Sequence, residues 1–200
     1  MGFAGADAKP EYILLAGVAG LLAGSFSMAA GEYISMRAQR ELFEQQIAME
    51  QQELEMSPKE EEEELSLIYQ AKGIPEREAA MLARRIISNP KTAIDTLARE
   101  ELGLNPAELG SPWTAALSSF LAFILGALIP VLPYLFSAGQ LAWFVSGLLS
   151  CLALLGVGAI ISIFTAKGPW ISGVRMLGIG LLASAITYGV GWLFGVSVPG

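Results

Sequence analysis

The sequence predicts an all-α protein: a multispan helical membrane protein with a cytoplasmic three-helix acidic insert. Three observations carry that prediction. Mean hydropathy is +0.54 with only 16% charged residues, a balance typical of chains that place much of their length in a bilayer. Between Gly110 and Gly200 the only charged residues are Lys167 and Arg175. The polar stretch from Ala38 to Pro112 breaks into short segments with helix-start signals and apolar residues at helical spacing.

The spans follow from the charge gaps. Trp113 to Phe136 gives 24 uncharged residues, Leu141 to Thr165 gives 25 and Met176 to Phe194 gives 19, and about 20 helical residues cross a hydrocarbon core. Ile13 to Ala30 is a fourth run of 18, with Gly20 and Gly24 in the GxxxG spacing that lets helices approach closely. A cleaved signal peptide competes for that run, but no basic n-region precedes it.

Lys and Arg at the helix ends orient the spans. Arg37 and Arg40 follow the first run, Lys167 and Arg175 lie in the expected loop KGPWISGVR, and the turn Ser137 to Gln140 carries no charge. Basic ends belong in the cytoplasm. The chain therefore divides into an N-terminal transmembrane helix (1–37), a cytoplasmic helical domain (38–112) and three transmembrane helices (113–200).

Within the insert the first span runs on through RELFEQQIAMEQQELEM. Ser57 is placed as the cap of the next helix, with Pro58 at its first position and Glu60 set for a capping box; that helix stops near Gly73. Pro75 opens the next, and Asn89 with Pro90 opens the last, which ends at Gly103. Met81, Leu82, Ile86 and Ile87, with Ile94, Leu97 and Leu102, recur at helical spacing and are expected to pack the bundle.

Ten of the nineteen carboxylates fall between Glu41 and Glu64. Glu50 and Glu53 share one helix face, Glu61 and Glu64 share another, and a hairpin turning at Ser57 and Pro58 can bring the pairs together. Like charges at that density repel unless a cation or water separates them, which suits a divalent ion. A solvated helix face is the alternative, favoured for Glu60, Glu62 and Glu63; spacing alone leaves Glu50, Glu53, Glu61 and Glu64 open. Glu32 lies near the cytoplasmic end of the first span, with Met28 a turn before and Met36 a turn after, on one stripe. Carboxylate and thioethers together suit a borderline divalent metal in an ion pathway, and an interfacial glutamate beside packing methionines fits the same positions.

The run SMAAGEYISMRAQRELFEQQIAMEQQELE, followed by LIYQAKG and REELGLNPAELGSPW, resembles the vacuolar iron transporter family, including its bacterial members, from Leu14 onward. The resemblance implies a dimeric transporter that moves ferrous iron, and in some members manganese, out of the cytoplasm in exchange for protons. It implies a metal-binding role for Glu50, Glu53, Glu61, Glu64 and Glu101 and a pathway role for Met28 and Glu32, with Met36 on the same stripe as a further pathway candidate; a bacterial plasma membrane is the expected location, and a vacuolar membrane would use the same topology. Thr96, Leu97 and Ala98 stand where family members tend to carry methionines, which removes soft ligands and leaves iron and manganese both open as the metal. The family's first span, with its pore-lining aspartate, has no counterpart here, so segment 1–37 is expected to match the second span.

A membrane-anchored metal-binding or partner-docking protein without transport is the rival reading. An enzyme is disfavoured: the chain has no histidine, its single cysteine, Cys151, lies in an apolar run, and no phosphate loop or zinc spacing occurs. No resident cofactor is expected beyond the bound or carried Fe²⁺ or Mn²⁺. The insert holds 16 acidic and 8 basic residues, which disfavours nucleic acid. The expected partners are divalent ions, the lipid bilayer and a second copy of the chain.

Overall fold

A computed structural model describes residue 2 and residues 10–136 and 140–197. Among these residues the secondary structure is helical throughout: α1 (Pro10–Met56), α2 (Pro58–Ala71), α3 (Glu76–Ile87), α4 (Pro90–Glu100), α5 (Pro112–Phe136), α6 (Gln140–Thr165) and α7 (Pro169–Ser197). Four of them, α1, α5, α6 and α7, are long and apolar enough to cross a membrane. The protein is an all-α integral membrane protein. Of the expected turn at residues 137–140, all but Gln140 lies outside the described residues.

The chain forms two compact units, one of Met1–Ala29 with Leu117–Gly200 and the other of Ala30–Ala116. In the first, large apolar side chains such as Leu121, Leu125, Leu148, Leu152, Leu181 and Leu182 are exposed. For spans this is contact with lipid, and helix association must then come from close packing rather than from hydrophobic burial. Glycines supply it. A Cβ on Gly158 of α6 would stand 2.6 Å from both Gly173 Cα and the Ser172 carbonyl of α7, and one on Gly180 would stand 2.3 Å from Leu154. Gly24 of α1 meets the Phe123 ring of α5, and the Phe26 and Phe120 rings meet at 5.2 Å, tilted 60° to each other. Gly20, its expected GxxxG partner, faces open space, so only half of that spacing packs within the chain.

Hydroxyls inside the spans bond mostly to their own helix: Ser25 to Leu22 O, Ser150 to Ser146 O, Ser162 to Ala159 O and Thr187 to Ala183 O. Hydrocarbon offers no other partner. The last span begins earlier than its charge pattern suggests. Arg175 lies inside α7, which starts at Pro169; proline is preorganised for a first helical position, and nothing between it and Arg175 breaks a helix packed this closely on α6.

The second unit is built around Leu65 and Tyr69 of α2, Ala79 and Ala83 of α3 and Leu97 of α4, with Leu54, Ile74, Ile86 and Ile87 against them. Met81 and Leu82, expected in this core, are instead 59% and 39% exposed. Ala79 and Ala83 take the inward stripe, and their small size lets α3 approach α2 closely. Ser57 and Asn89 precede α2 and α4, yet neither side chain caps its helix. At Ser57 the backbone already closes both ends, its N–H on Glu53 O and its carbonyl on the Glu60 and Glu61 amides. One residue thus joins two helices, and its hydroxyl has no cap to make.

Gly110 closes this unit. It has φ +83°, and a Cβ there would stand 2.7 Å from Met36 Sδ; its carbonyl accepts the Arg40 guanidinium at 3.1 Å. The Tyr33 and Trp113 rings meet nearby at 5.0 Å.

The α6–α7 contact predicts that Gly158→Leu lowers stability by roughly 1–3 kcal/mol, because its side chain meets backbone that cannot step aside. Thermal unfolding of the whole chain in detergent checks this; an unchanged midpoint would show that α7 is free to shift.

Candidate metal centre

Helical periodicity couples the acidic residues to the core. Glu50 precedes Leu54 by four residues in α1, Glu61 precedes Leu65 by four in α2, and Glu101, the residue after α4, follows Leu97 by four. Residues four apart share a helix face. The leucines that converge in the core therefore carry the three carboxylates with them, and one oxygen from each of Glu50, Glu61 and Glu101 lies within 4.8 Å of the others.

Burial makes the cluster unusual. Glu50 and Glu61 are 3% and 6% exposed, and Glu50 Oε1 and Glu61 Oε2 are buried without a hydrogen-bond partner. Glu101 is the open member. Among the described residues the ion pairs are Arg37–Glu41, Arg40–Glu44, Arg99–Asp95 and Lys72–Glu100; no trio carboxylate takes part in them. Lys72 ties the end of α2 to α4 through Glu100, the neighbour of the trio member, and leaves Glu101 to its fellow carboxylates.

Protons respond as electrostatics requires. Burial, followed by repulsion from Glu101 and Glu61, lifts Glu50 from 4.5 to about 8. Burial also raises Glu61, with Glu64, Glu53 and Glu60 adding repulsion. Glu101 is raised by desolvation and then by the charge of Glu64. Without an ion, protons retained on the trio lower its mutual repulsion. Oxygens around one hard divalent cation lie at most about 4–5 Å apart, twice a metal–oxygen distance of roughly 2.1–2.5 Å, so these three are already near ligand spacing.

The structure thus separates the expected residues. Glu50, Glu61 and Glu101 come together; Glu53 and Glu64 are exposed and act on the trio as neighbouring charges. Glu60 and Glu63 face solvent, and Glu62 is half-buried. On α1, Met28 and Glu32 are exposed, and Met36 is half-buried with its sulfur against Gly110. Glu32 lies 18 residues before Glu50, about 27 Å along a helix, so it is not a ligand of the same ion. Spacing on α1 and α2 could find Glu50 and Glu61. The Leu97 and Glu101 pair gives the same signal, with a core leucine and a carboxylate four apart.

Residues 1–192 match the VIT family. The chain belongs to that family. Similar proteins include vacuolar iron transporter 1 of Oryza sativa subsp. japonica, 33% identical over 175 residues, which are 87% of this chain and 69% of the relative. The vacuolar iron transporter of Acanthamoeba castellanii is 36% identical over 169 residues, covering 82% of this chain and 60% of that protein. Vacuolar iron transporter 1 of Arabidopsis thaliana is 31% identical over 134 residues, 67% of this chain and 54% of the relative. This VIT family chain spans part of the length of each.

The raised Glu50 fixes the sign of a pH dependence. Between 4.5 and about 8 the folded chain holds a proton that the unfolded chain has released, so stability falls as pH rises through that window and is fully present below it. Unfolding of the metal-free chain in detergent is expected to drop on the order of 5 °C between pH 5 and pH 8. Mn²⁺ added at pH 8 should reverse the drop, since metal binds the deprotonated form. A midpoint that rises with pH would mean that a cation of the chain itself pairs with the trio.

Proposed function

We propose that this metal-ion transporter of the VIT family moves a divalent cation, ferrous iron or manganese, out of the cytoplasm in exchange for protons, working as a homodimer in a bacterial plasma membrane. The observation that carries the reading is the trio of Glu50, Glu61 and Glu101, with two buried oxygens that lack partners. Buried unpaired carboxylates destabilise a fold, and a divalent cation supplies the missing charge. The names of the relatives, iron transporters of vacuoles, support the same ion class, and four membrane-spanning helices support passage across a bilayer.

In this mechanism the acidic unit collects the ion from the cytoplasm. Glu50, Glu61 and Glu101 release protons as the ion enters, and exposed Glu53 and Glu64 raise its local concentration. The ion then passes to Glu32, whose carboxylate near the membrane end of α1, flanked by Met28 and Met36, receives it for crossing; a proton moving inward neutralises Glu32 for the return. The all-oxygen trio accepts Mn²⁺ as readily as Fe²⁺ by ligand type.

Flux of Fe²⁺ and Mn²⁺ in proteoliposomes, together with equilibrium metal binding by the same chain, tests the reading. Glu32→Gln is expected to lower flux at least about 100-fold while leaving binding intact, as loss of a required charge in a membrane pathway does. Glu50→Gln and Glu61→Gln should weaken binding itself. Full flux in Glu32→Gln removes Glu32 from the pathway, and binding without flux in the unaltered chain replaces transport with membrane-anchored metal binding.

A further inference from the structure

Two prolines lie inside α5, Pro130 and Pro133. Each lacks the N–H that would close a helical bond, so the carbonyls of Gly126 and Ile129, four residues earlier, have no such partner in their own helix. A span that lacks two such bonds within one turn bends at this point more readily than its neighbours do, and such interruptions persist in membranes where nearby groups compensate.

The surroundings of this segment are equally specific. The Pro130 carbonyl accepts the Ser146 hydroxyl of α6 at 2.7 Å, whereas the other span hydroxyls described above bond within their own helix. Ser146 is 3% exposed. On the α1 side a Cβ on Gly17 would stand 3.1 Å from Val131 Cγ2, so a smooth glycine surface faces the segment. A cavity of about 270 Å³ bounded in part by Ala16, Gly17, Pro130, Val131, Tyr134 and Ser146 gives it room. Weakened backbone, one cross-helix bond, a smooth wall and adjacent free volume coincide at a single level of the bundle.

We propose that α5 hinges at Pro130–Pro133, that the Ser146 hydroxyl latches this hinge to α6, and that the latched hinge couples the two helices during each transport cycle. The inference rests on the transport reading for its role and on the geometry alone for its existence. Ser146 touches no ion in this scheme; it is a positioning residue that acts through the Pro130 carbonyl. The cavity is the volume into which the segment swings.

Hydrogen–deuterium exchange and proteoliposome Mn²⁺ flux on the same preparations test both parts. Ser146→Ala is expected to raise amide exchange in residues 126–134 roughly tenfold by freeing the hinge, and Pro130→Ala to lower it by restoring a helical bond. Both variants should cut the maximal flux rate at least about tenfold with little change in KM, the pattern of a conformational step. Ser146→Thr, which keeps the hydroxyl, should restore exchange and rate together. Pro130→Ala is also expected to unfold at a higher temperature, which a merely structural proline would not combine with lost flux. Unchanged exchange in both variants overturns the hinge whatever the flux does. Altered exchange with unaltered flux overturns its role in the cycle. An unaltered chain that exchanges as expected but carries no Mn²⁺ places the failure in the transport reading and leaves the hinge standing.

Discussion

The second unit depends on one electrostatic constraint: two carboxylates buried at the junction of three helices, next to a third, with no cation among the described residues paired to them. Left ionised, they would push α1, α2 and the end of α4 apart. The core leucines one turn away hold those helices together, so repulsion cannot be relieved by separation and is relieved by protons or by an added ion. Apolar packing and cation affinity are thus opposed parts of one arrangement. Weakening the core would relax the repulsion and lower the affinity for metal along with the stability.

In the membrane-spanning unit the constraint is steric. Lipid offers apolar side chains nothing that a neighbouring helix does not, so association falls to the places where backbones can touch. Gly158 and Gly173 make such a place between α6 and α7. Gly24 makes another, where a ring from α5 occupies the space that a side chain would fill. The α6–α7 contact is rigid because it involves backbone on both sides, whereas α5 meets α1 through side chains, the Phe123 ring at Gly24 and Val131 at Gly17, the latter within the segment that holds the two prolines.

The spans were legible because hydrocarbon tolerates so few charges that the gaps between them mark the crossings. The same rule sets the start of α7 too late: a charge near a membrane face suggests the edge of a helix, whereas Arg175 lies within one that begins at Pro169. In the acidic unit, apolar spacing identified α3 as amphipathic but chose Met81 and Leu82 over Ala79 and Ala83. Size is a poor guide where close approach decides which side faces inward. Ser57 and Asn89 marked the starts of α2 and α4 correctly by position, although the hydroxyl and amide make no cap. For the carboxylates, a hairpin argument reached Glu50 and Glu61. It also admitted Glu53 and Glu64, because three-residue spacing does not say which member of a pair points at the core. Four-residue spacing from a core leucine does, and it selects Glu50, Glu61 and Glu101 alike.

On the proposed reading, proton accounting separates the collector from the coupling step. Glu50, raised to about 8, is mostly protonated in a neutral cytoplasm, so an arriving cation displaces protons from the trio. Those protons return to the compartment the ion came from and contribute nothing to exchange across the bilayer. When the ion leaves the trio for the membrane, the carboxylates take protons back from the same side, and the cycle at the collector closes with no net transfer. The collector can therefore make loading sensitive to cytoplasmic pH without coupling transport to a proton gradient. Coupling needs a carboxylate that meets the ion on one side and a proton from the other, and such a group must lie on the membrane segment of α1, well removed from the trio. Of the acidic residues of that helix, Glu41, Glu44, Glu50, Glu53 and Glu55 follow the basic boundary at Arg37 and Arg40 and Glu11 lies in the first turn, at the opposite end of the span, so Glu32 is the one on the membrane segment next to the collector.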